Sequence, residues 1–140
     1  MIILDTNIVS VLLTPDHHDI PVVATWMRAN AGESFRVTAI TQAAIAYGVA
    51  VLPDGARKRH LTECVRAYFA PIAGLILPFT DQDATAYGDI MAARRAAGRP
   101  MSSLDAQIAA IALSADGAVA TRNTRDFEDC GVRLVNPYDP

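Results

Sequence analysis

The chain is short of most of the residues that announce a function. It has two cysteines, Cys64 and Cys130, with no CxxC pairing and no metal-ligand spacing. That excludes a disulfide scaffold or a thiolate zinc site and leaves two reduced, mostly buried thiols as the expectation. Lys58 is the only lysine, and it lies mid-chain in a helical stretch. A phospho-acceptor signalling domain would want a lysine beyond a late strand, so that class fits poorly. Gly48, Gly55 and Gly98 stand singly and form no phosphate-cradling loop. There is no GxSxG elbow and no Cys/His dyad. No apolar stretch is long enough to span a bilayer. Met1 runs directly into a strand pattern, so the expectation is a soluble, cytoplasmic protein with no membrane association.

What is present points to a compact α/β domain. The 140 residues are 51% hydrophobic with a net charge of −3. Such a chain can bury a core without staples and is not disordered; one domain over residues 1–140 is expected. The acidic total does not advertise a nucleic-acid binder, although a local basic patch fits inside it. Positive charge is nearly all arginine, which suits bidentate phosphate contacts and is also what GC-rich coding produces.

Short, wholly apolar runs alternate with helical patterns. Residues 2–5 read as a strand and Thr6–Leu13 as a helix capped by Thr6 or Asn7. Thr14–Asp19 reads as a polar loop, and Ile20–Ala29 as a helix with Val23, Trp26 and Met27 on one face. Ser34–Ala39 reads as a strand, and Thr41 as the cap of a helix running to about Leu52. Ala56–Phe69 is amphipathic, with Leu61, Val65, Tyr68 and Phe69 inward. Leu75–Leu77 reads as a third strand, and Asp81–Ala97 as a long helix ended by Gly98. Ser102 or Ser103 caps the helix containing Asp105. Ala118–Thr121 and Arg133–Val135 complete five strands. Apolar strands separated by helices predict a parallel sheet covered on both faces.

Three carboxylates fall where such a fold would gather them. Asp5 closes the first strand, Asp105 lies in a first helical turn, and Asp126 follows the fourth strand. Each alone reads equally as a turn residue or a helix cap. Together, at the carboxyl edge of a parallel sheet where open α/β folds bind ligands, they suit a hard cation such as Mg²⁺ or Mn²⁺. Two such ions, roughly 3.5–4 Å apart, support phosphodiester hydrolysis. A phosphatase using Asp5 as nucleophile is the competing chemistry. It prefers a second aspartate two residues on, where this chain has Asn7.

The wording around the carboxylates is more specific. The chain reads Leu4-Asp5-Thr6-Asn7, then Ile40-Thr41 with Tyr47-Gly48, then Leu104-Asp105-Ala106, then Thr121-Arg122-Asn123-Thr124-Arg125-Asp126-Phe127. It resembles, over essentially its whole length, the PIN-domain ribonucleases and within them the VapC-type toxins of bacterial toxin–antitoxin pairs. The resemblance implies a short parallel sheet with helices on both faces and metal-dependent endonucleolytic cleavage of RNA. It implies Asp5, Asp105 and Asp126 as Mg²⁺ or Mn²⁺ ligands, with Thr6, Asn7 and Thr121 bonding to them from behind. Asn123 would orient Asp126 or a bound water. It also implies a cognate antitoxin as protein partner and a homodimer. The family has a glutamate where this chain has Ala44, so the resemblance implies an impaired or inactivated site. A non-catalytic RNA- or protein-binding descendant is the alternative.

Arg122 and Arg125 are the expected RNA-phosphate contacts, although Arg122 could equally pair with the carboxylates. Arg94, Arg95 and Arg99 could flank the site. The run Arg57-Lys58-Arg59-His60 could track an RNA backbone, but reads better as a solvated helix face. His17 and His18 read as an exposed loop rather than a chelating cluster. Tyr47, Tyr68, Tyr87 and Trp26 read as core packing. Val9, Leu12 and Leu13, with the Tyr47–Leu52 stretch, are the apolar surface expected to meet an antitoxin.

Overall fold

The computed structural model describes residues 1–139. Five short strands, β1 (Ile2–Leu4), β2 (Phe35–Thr38), β3 (Ile76–Leu77), β4 (Ala118–Ala120) and β5 (Arg133–Val135), form one sheet. Its order is β3-β2-β1-β4-β5 and every pairing is parallel. The helices are α1 (Thr6–Leu13), α2 (Ile20–Ala29), α3 (Ala39–Ala50), α4 (Ala56–Phe69), α5 (Asp81–Ala96), α6 (Ser103–Ser114) and α7 (Thr124–Phe127). The expected α/β fold with helices on both faces is what forms.

Strand alternation divides the core in two. Ile2, Leu4, Ala118 and Ala120 point to one face, where they meet Ile8, Val9, Val23 and Phe69. Ile3 and Val119 point to the other, against Ile90, Ile108, Ala109 and Phe127. With both faces covered, the strands need no polar alternation, which is why they read as unbroken apolar runs. The chain builds outward from β1 through β2 to β3, then returns to start β4 on β1's other side. That reversal leaves a crevice between the carboxyl ends of β1 and β4, the switch point at which such sheets bind ligands.

Several boundaries differ from the sequence reading. Asp5, not Thr6 or Asn7, is the N-cap of α1, and its side chain accepts from the Thr6 N–H. Thr38, not Thr41, caps α3: its Oγ accepts from the Thr41 N–H at 3.0 Å, which starts the helix three residues earlier than expected. Leu75 belongs to a 3-10 segment, Ala70–Leu75, whose Pro71 suits a tight helical start, so β3 shrinks to two residues. Val9 and Leu13 are core residues, 0% and 9% exposed, and cannot form a docking surface. Tyr47 is 71% exposed, so it is not core packing as expected. Cys130 is buried but Cys64 only half-buried, and both are free. Among the described residues no helix is long and apolar enough to cross a membrane.

The long helix α5 opens on a capping box. Asp83, 3% exposed, accepts from the Thr80 N–H at 2.6 Å and the Thr80 hydroxyl at 2.9 Å. Burial pushes its carboxyl up, but hydrogen bonds from the Thr80 N–H, the Ser114 side chain and the Thr80 hydroxyl together outweigh that and leave it below the usual carboxylate range. An acid depressed in the folded state stabilises above its unfolded value, and that contribution is lost as pH falls through the folded value. Asp83→Ala is therefore expected to cost about 1–2 kcal/mol at neutral pH. Urea denaturation should show the difference from the parent chain narrowing in acid. An undiminished difference there would assign the loss to packing instead.

Candidate metal centre

Asp5 sits where β1 gives way to α1, at the switch point. Its N–H donates to Ala120 O at 3.0 Å, which continues the β1–β4 ladder by one bond and fixes its backbone. The side chain is 5% exposed and takes three hydrogen bonds. The Thr6 N–H donates to Oδ1 at 2.6 Å. The Asn7 amide and the Thr121 hydroxyl donate to Oδ2 at 2.8 and 2.7 Å. Asn7 Nδ2 also reaches Thr121 Oγ at 3.0 Å, and the Asn123 N–H donates to the same Oγ at 3.0 Å. The start of α1 and the end of β4 are thus sewn together around one carboxylate.

Asp105 reaches the same place from α6. Ser102 caps that helix, accepting from the Asp105 N–H at 3.0 Å and donating its hydroxyl to Asp105 Oδ2 at 2.6 Å. Asp126 lies exposed on α7, its N–H held by Asn123 O at 3.0 Å. The three carboxylates feel one another. Burial raises the Asp5 carboxyl first; hydrogen bonds from Thr121 and Thr6 lower it less, and the charges of Asp105 and Asp126 raise it further. Burial likewise raises Asp105, against the Ser102 hydrogen bond and with the Asp126 charge adding to it. Among the described residues no arginine, lysine or histidine pairs with any of the three. Partly desolvated, like-charged oxygens with no cation of the protein's own are a donor set that fits a hard divalent ion.

Ala44 lies half-buried on α3, which packs against both α1 and α6. That helix carries no acidic residue at all. The arginines distribute differently from the reading that placed them beside the carboxylates. Arg122 Nη1 donates to Asp19 Oδ2 at 3.5 Å and its guanidinium lies 5.6 Å from the Tyr138 ring centroid. Arg125 is exposed on α7. Buried Arg94 donates to Glu128 O at 2.6 Å, and Arg99 pairs with Glu128 and Asp129. These two tie the segment after Asp126 to the end of α5 rather than facing the site. Lys58, in α4, is engaged with Asp54 at 3.1 Å and Ala50 O at 3.0 Å.

His17, His18 and Asp19 do bring one ligand atom each within 4.8 Å of the others. The Asp19 N–H already occupies His17 Nδ1 at 3.1 Å. In the neutral ring the proton then sits on Nε2, so His17 has no lone pair free for a metal. Ser102 was legible in the sequence only as a cap; its grip on the Asp105 carboxylate follows from the capping geometry. The contact of Asp19 with Tyr138, 119 residues away in sequence, left no signal in the sequence.

A family model for the PIN domain matches residues 2–132, and the chain belongs to that family. Within it, the chain stands among the VapC-type toxins. It is 35% identical over 143 residues to VapC ribonuclease Y4jK of Sinorhizobium fredii, covering 100% of this chain and 99% of that protein. It is 35% identical over 139 residues to Toxin FitB of Neisseria gonorrhoeae, covering 99% of each. The crystal structure of FitAcB from Neisseria gonorrhoeae has a TM-score of 0.83 at 34% identity, with all of both chains covered.

A buried carboxylate raised above its ordinary value destabilises the fold once pH exceeds its unfolded value, and the penalty is complete above the folded value. Asp5→Asn is therefore expected to raise the melting temperature at neutral pH in chelator by roughly 2–4 °C, the shift that about 1 kcal/mol produces at this size. The gain should vanish in acid, where Asp5 is protonated in both states. A loss of stability at neutral pH would mean that its hydrogen bonds outweigh its charge.

Proposed function

We propose that this chain is the toxin of a type II toxin–antitoxin pair, built as a metal-dependent endoribonuclease and carrying a site impaired at Ala44. The observation that carries this reading is the group of three mutually repelling carboxylates, without cationic partners, at the β1/β4 switch point. Asp5, Asp105 and Asp126 would hold Mg²⁺ or Mn²⁺. A divalent ion there would supply Lewis-acid stabilisation of a phosphodiester and activation of water for in-line attack.

The chain's own side chains do the positioning. Asn7 and Thr121 fix the Asp5 carboxylate on one oxygen, and the Thr6 N–H fixes the other. Ser102 turns Asp105. Asn123 places Asp126 through the backbone and braces Thr121. Arg122, held by Asp19 and Tyr138, and the exposed Arg125 would supply positive charge for RNA phosphates. The alternative, a non-catalytic PIN-like RNA- or protein-binding domain, is kept in play by Ala44.

The reading brings with it a cognate antitoxin, a homodimer and a cytoplasmic location. Complexes such as FitAcB support the antitoxin. Val9 and Leu13 of α1 are core and Leu12 is half-buried, whereas Tyr47 and Val51 on the α3 side remain exposed, at 71% and 60%, and would be the apolar surface offered to it.

Position 44 gives the test. Losing the fourth carboxylate lowers the site's negative charge and removes ligand oxygens, so a second metal ion is the expected casualty. Ala44→Glu is expected to raise Mg²⁺- or Mn²⁺-dependent cleavage of RNA by orders of magnitude and leave the circular dichroism spectrum unchanged. Chelator should abolish the activity, and expression without an antitoxin should arrest growth. A folded Ala44→Glu protein that cuts no RNA with either metal would sink the nuclease reading.

A further inference from the structure

One polar cluster remains outside the carboxylate site yet is joined to it. Asp19, the residue before α2, is its hub. Its Oδ2 accepts from Tyr138 Oη at 3.2 Å and from Arg122 Nη1 at 3.5 Å. Its Oδ1 lies 3.4 Å from His18 Nε2, and its N–H donates to His17 Nδ1 at 3.1 Å. The two imidazoles stack on each other, with centroids 4.6 Å apart and planes 17° apart. The cluster connects to the site through Asn7: the Arg122 N–H donates to Asn7 Oδ1 at 3.3 Å, while Asn7 Nδ2 holds Asp5.

As a stabilising device this cluster is weak. An ion pair at 3.5 Å with the arginine side chain 57% exposed contributes little. What it does achieve is orientation. Tyr138 and Asp19 hold the guanidinium, and only one of its five N–H donors is committed to Asp19. His17 keeps an Nε2–H donor. His18 is 86% exposed and backed by the His17 ring, so it offers solvent a stacking face that is already one ring deep.

We propose that Arg122 and the stacked His17–His18 pair form a nucleotide subsite for single-stranded RNA, joined to the Asp5 end of the carboxylate site through Asn7. A backbone phosphate lies on the Arg122 guanidinium and the neighbouring base stacks on the His18 ring. Single-stranded RNA presents both groups together, whereas in a duplex the bases are stacked away. The subsite sets which nucleotide stands next to the cut. This inference rests on the nuclease reading above, and deepens it by assigning residues to substrate binding rather than to chemistry.

The test uses the full-length chain and a fluorescein-labelled single-stranded RNA oligonucleotide in chelator, read by anisotropy across a salt series. Arg122→Ala is expected to weaken binding about tenfold and to lower the salt slope by roughly one counterion, and Arg122→Lys to keep the slope. The double change His17→Ala, His18→Ala is expected to weaken binding several-fold and leave the slope unchanged, since stacking carries no charge. An Arg57→Ala, Arg59→Ala protein controls for the basic run on α4. In an Ala44→Glu background, Arg122→Ala should raise KM about tenfold, with the loss falling on KM rather than kcat. If the Ala44→Glu protein cuts RNA while Arg122→Ala alters neither KM nor the salt slope, the subsite is wrong and the nuclease reading stands. If that protein cuts nothing, the nuclease reading fails, and the anisotropy alone decides the subsite. Loss of binding in the Arg57, Arg59 variant with none in Arg122→Ala would move the RNA track to α4 and overturn the proposal.

Discussion

Asp5 is the residue on which the rest of the structure turns. It is a carboxylate, 5% exposed, with two further carboxylates in its electrostatic field. Nothing in the hydrophobic effect asks for it, and burial of an unpaired charge works against folding. Three donors meet it: one from its own helix start, one from Asn7, one from the end of β4. Because Thr121 comes from the strand next to β1 in the sheet but 116 residues on in sequence, these bonds can exist only if the parallel β1–β4 pairing is already in register. The site is thus a product of the sheet topology, and in turn it pins the two loops that leave the sheet at its switch point.

The other two carboxylates are anchored by separate means. Asp105 is tied locally, through the cap of its own helix. Asp126 sits on a helix of four residues, too short to be rigid by itself. The segment after it is held from α5: Arg94 takes Glu128 O, and Arg99 takes the Glu128 and Asp129 carboxylates. Asp129 has φ 61°, a left-handed conformation that a non-glycine residue adopts only at a cost. Buried Arg94 also leaves its Nε without a partner among the described residues. Both unfavourable features lie at the contact between α5 and the segment after α7, where strain and orphaned polar groups commonly accompany a demanding geometry.

The fold was legible because the strands are short and apolar and the helices amphipathic or capped. What failed were boundaries decided by a single hydrogen bond. Thr38 and Asp5 took the capping roles assigned to Thr41 and to Thr6 or Asn7, since both candidates at each end are good caps and only tertiary packing chooses. Exposure failed at α1 and α3. Val9 and Leu13 look like spare apolar surface until the sheet covers them, and Tyr47 looks like core until no neighbour arrives. At the site, the three aspartates were readable from their positions at strand and helix ends. The Asp19–Tyr138–Arg122 cluster was not, because Asp19 and Tyr138 have no local pattern that marks them as neighbours.

The same geometry leaves position 44 outside the hydrogen bonds that hold the carboxylates. None of the hydrogen bonds that hold Asp5 or Asp105 comes from α3; every donor lies on α1, on the β4–α7 loop or at the start of α6. A glutamate at position 44 would add a fourth like charge to a cluster whose charges already raise the Asp5 and Asp105 carboxyls. Alanine removes that repulsion and is a strong helix former besides. Without a cation the Ala44 chain is the more relaxed arrangement; if the carboxylates hold an ion as proposed, the balance reverses, because repulsion among ligands is what the ion would relieve. The orientation network therefore stands whether or not the fourth carboxylate is there. The RNA subsite and the carboxylate chemistry proposed above are physically separable, since the first is built from the α1–α2 loop, the β4–α7 loop and the C-terminal segment and the second turns on what α3 contributes.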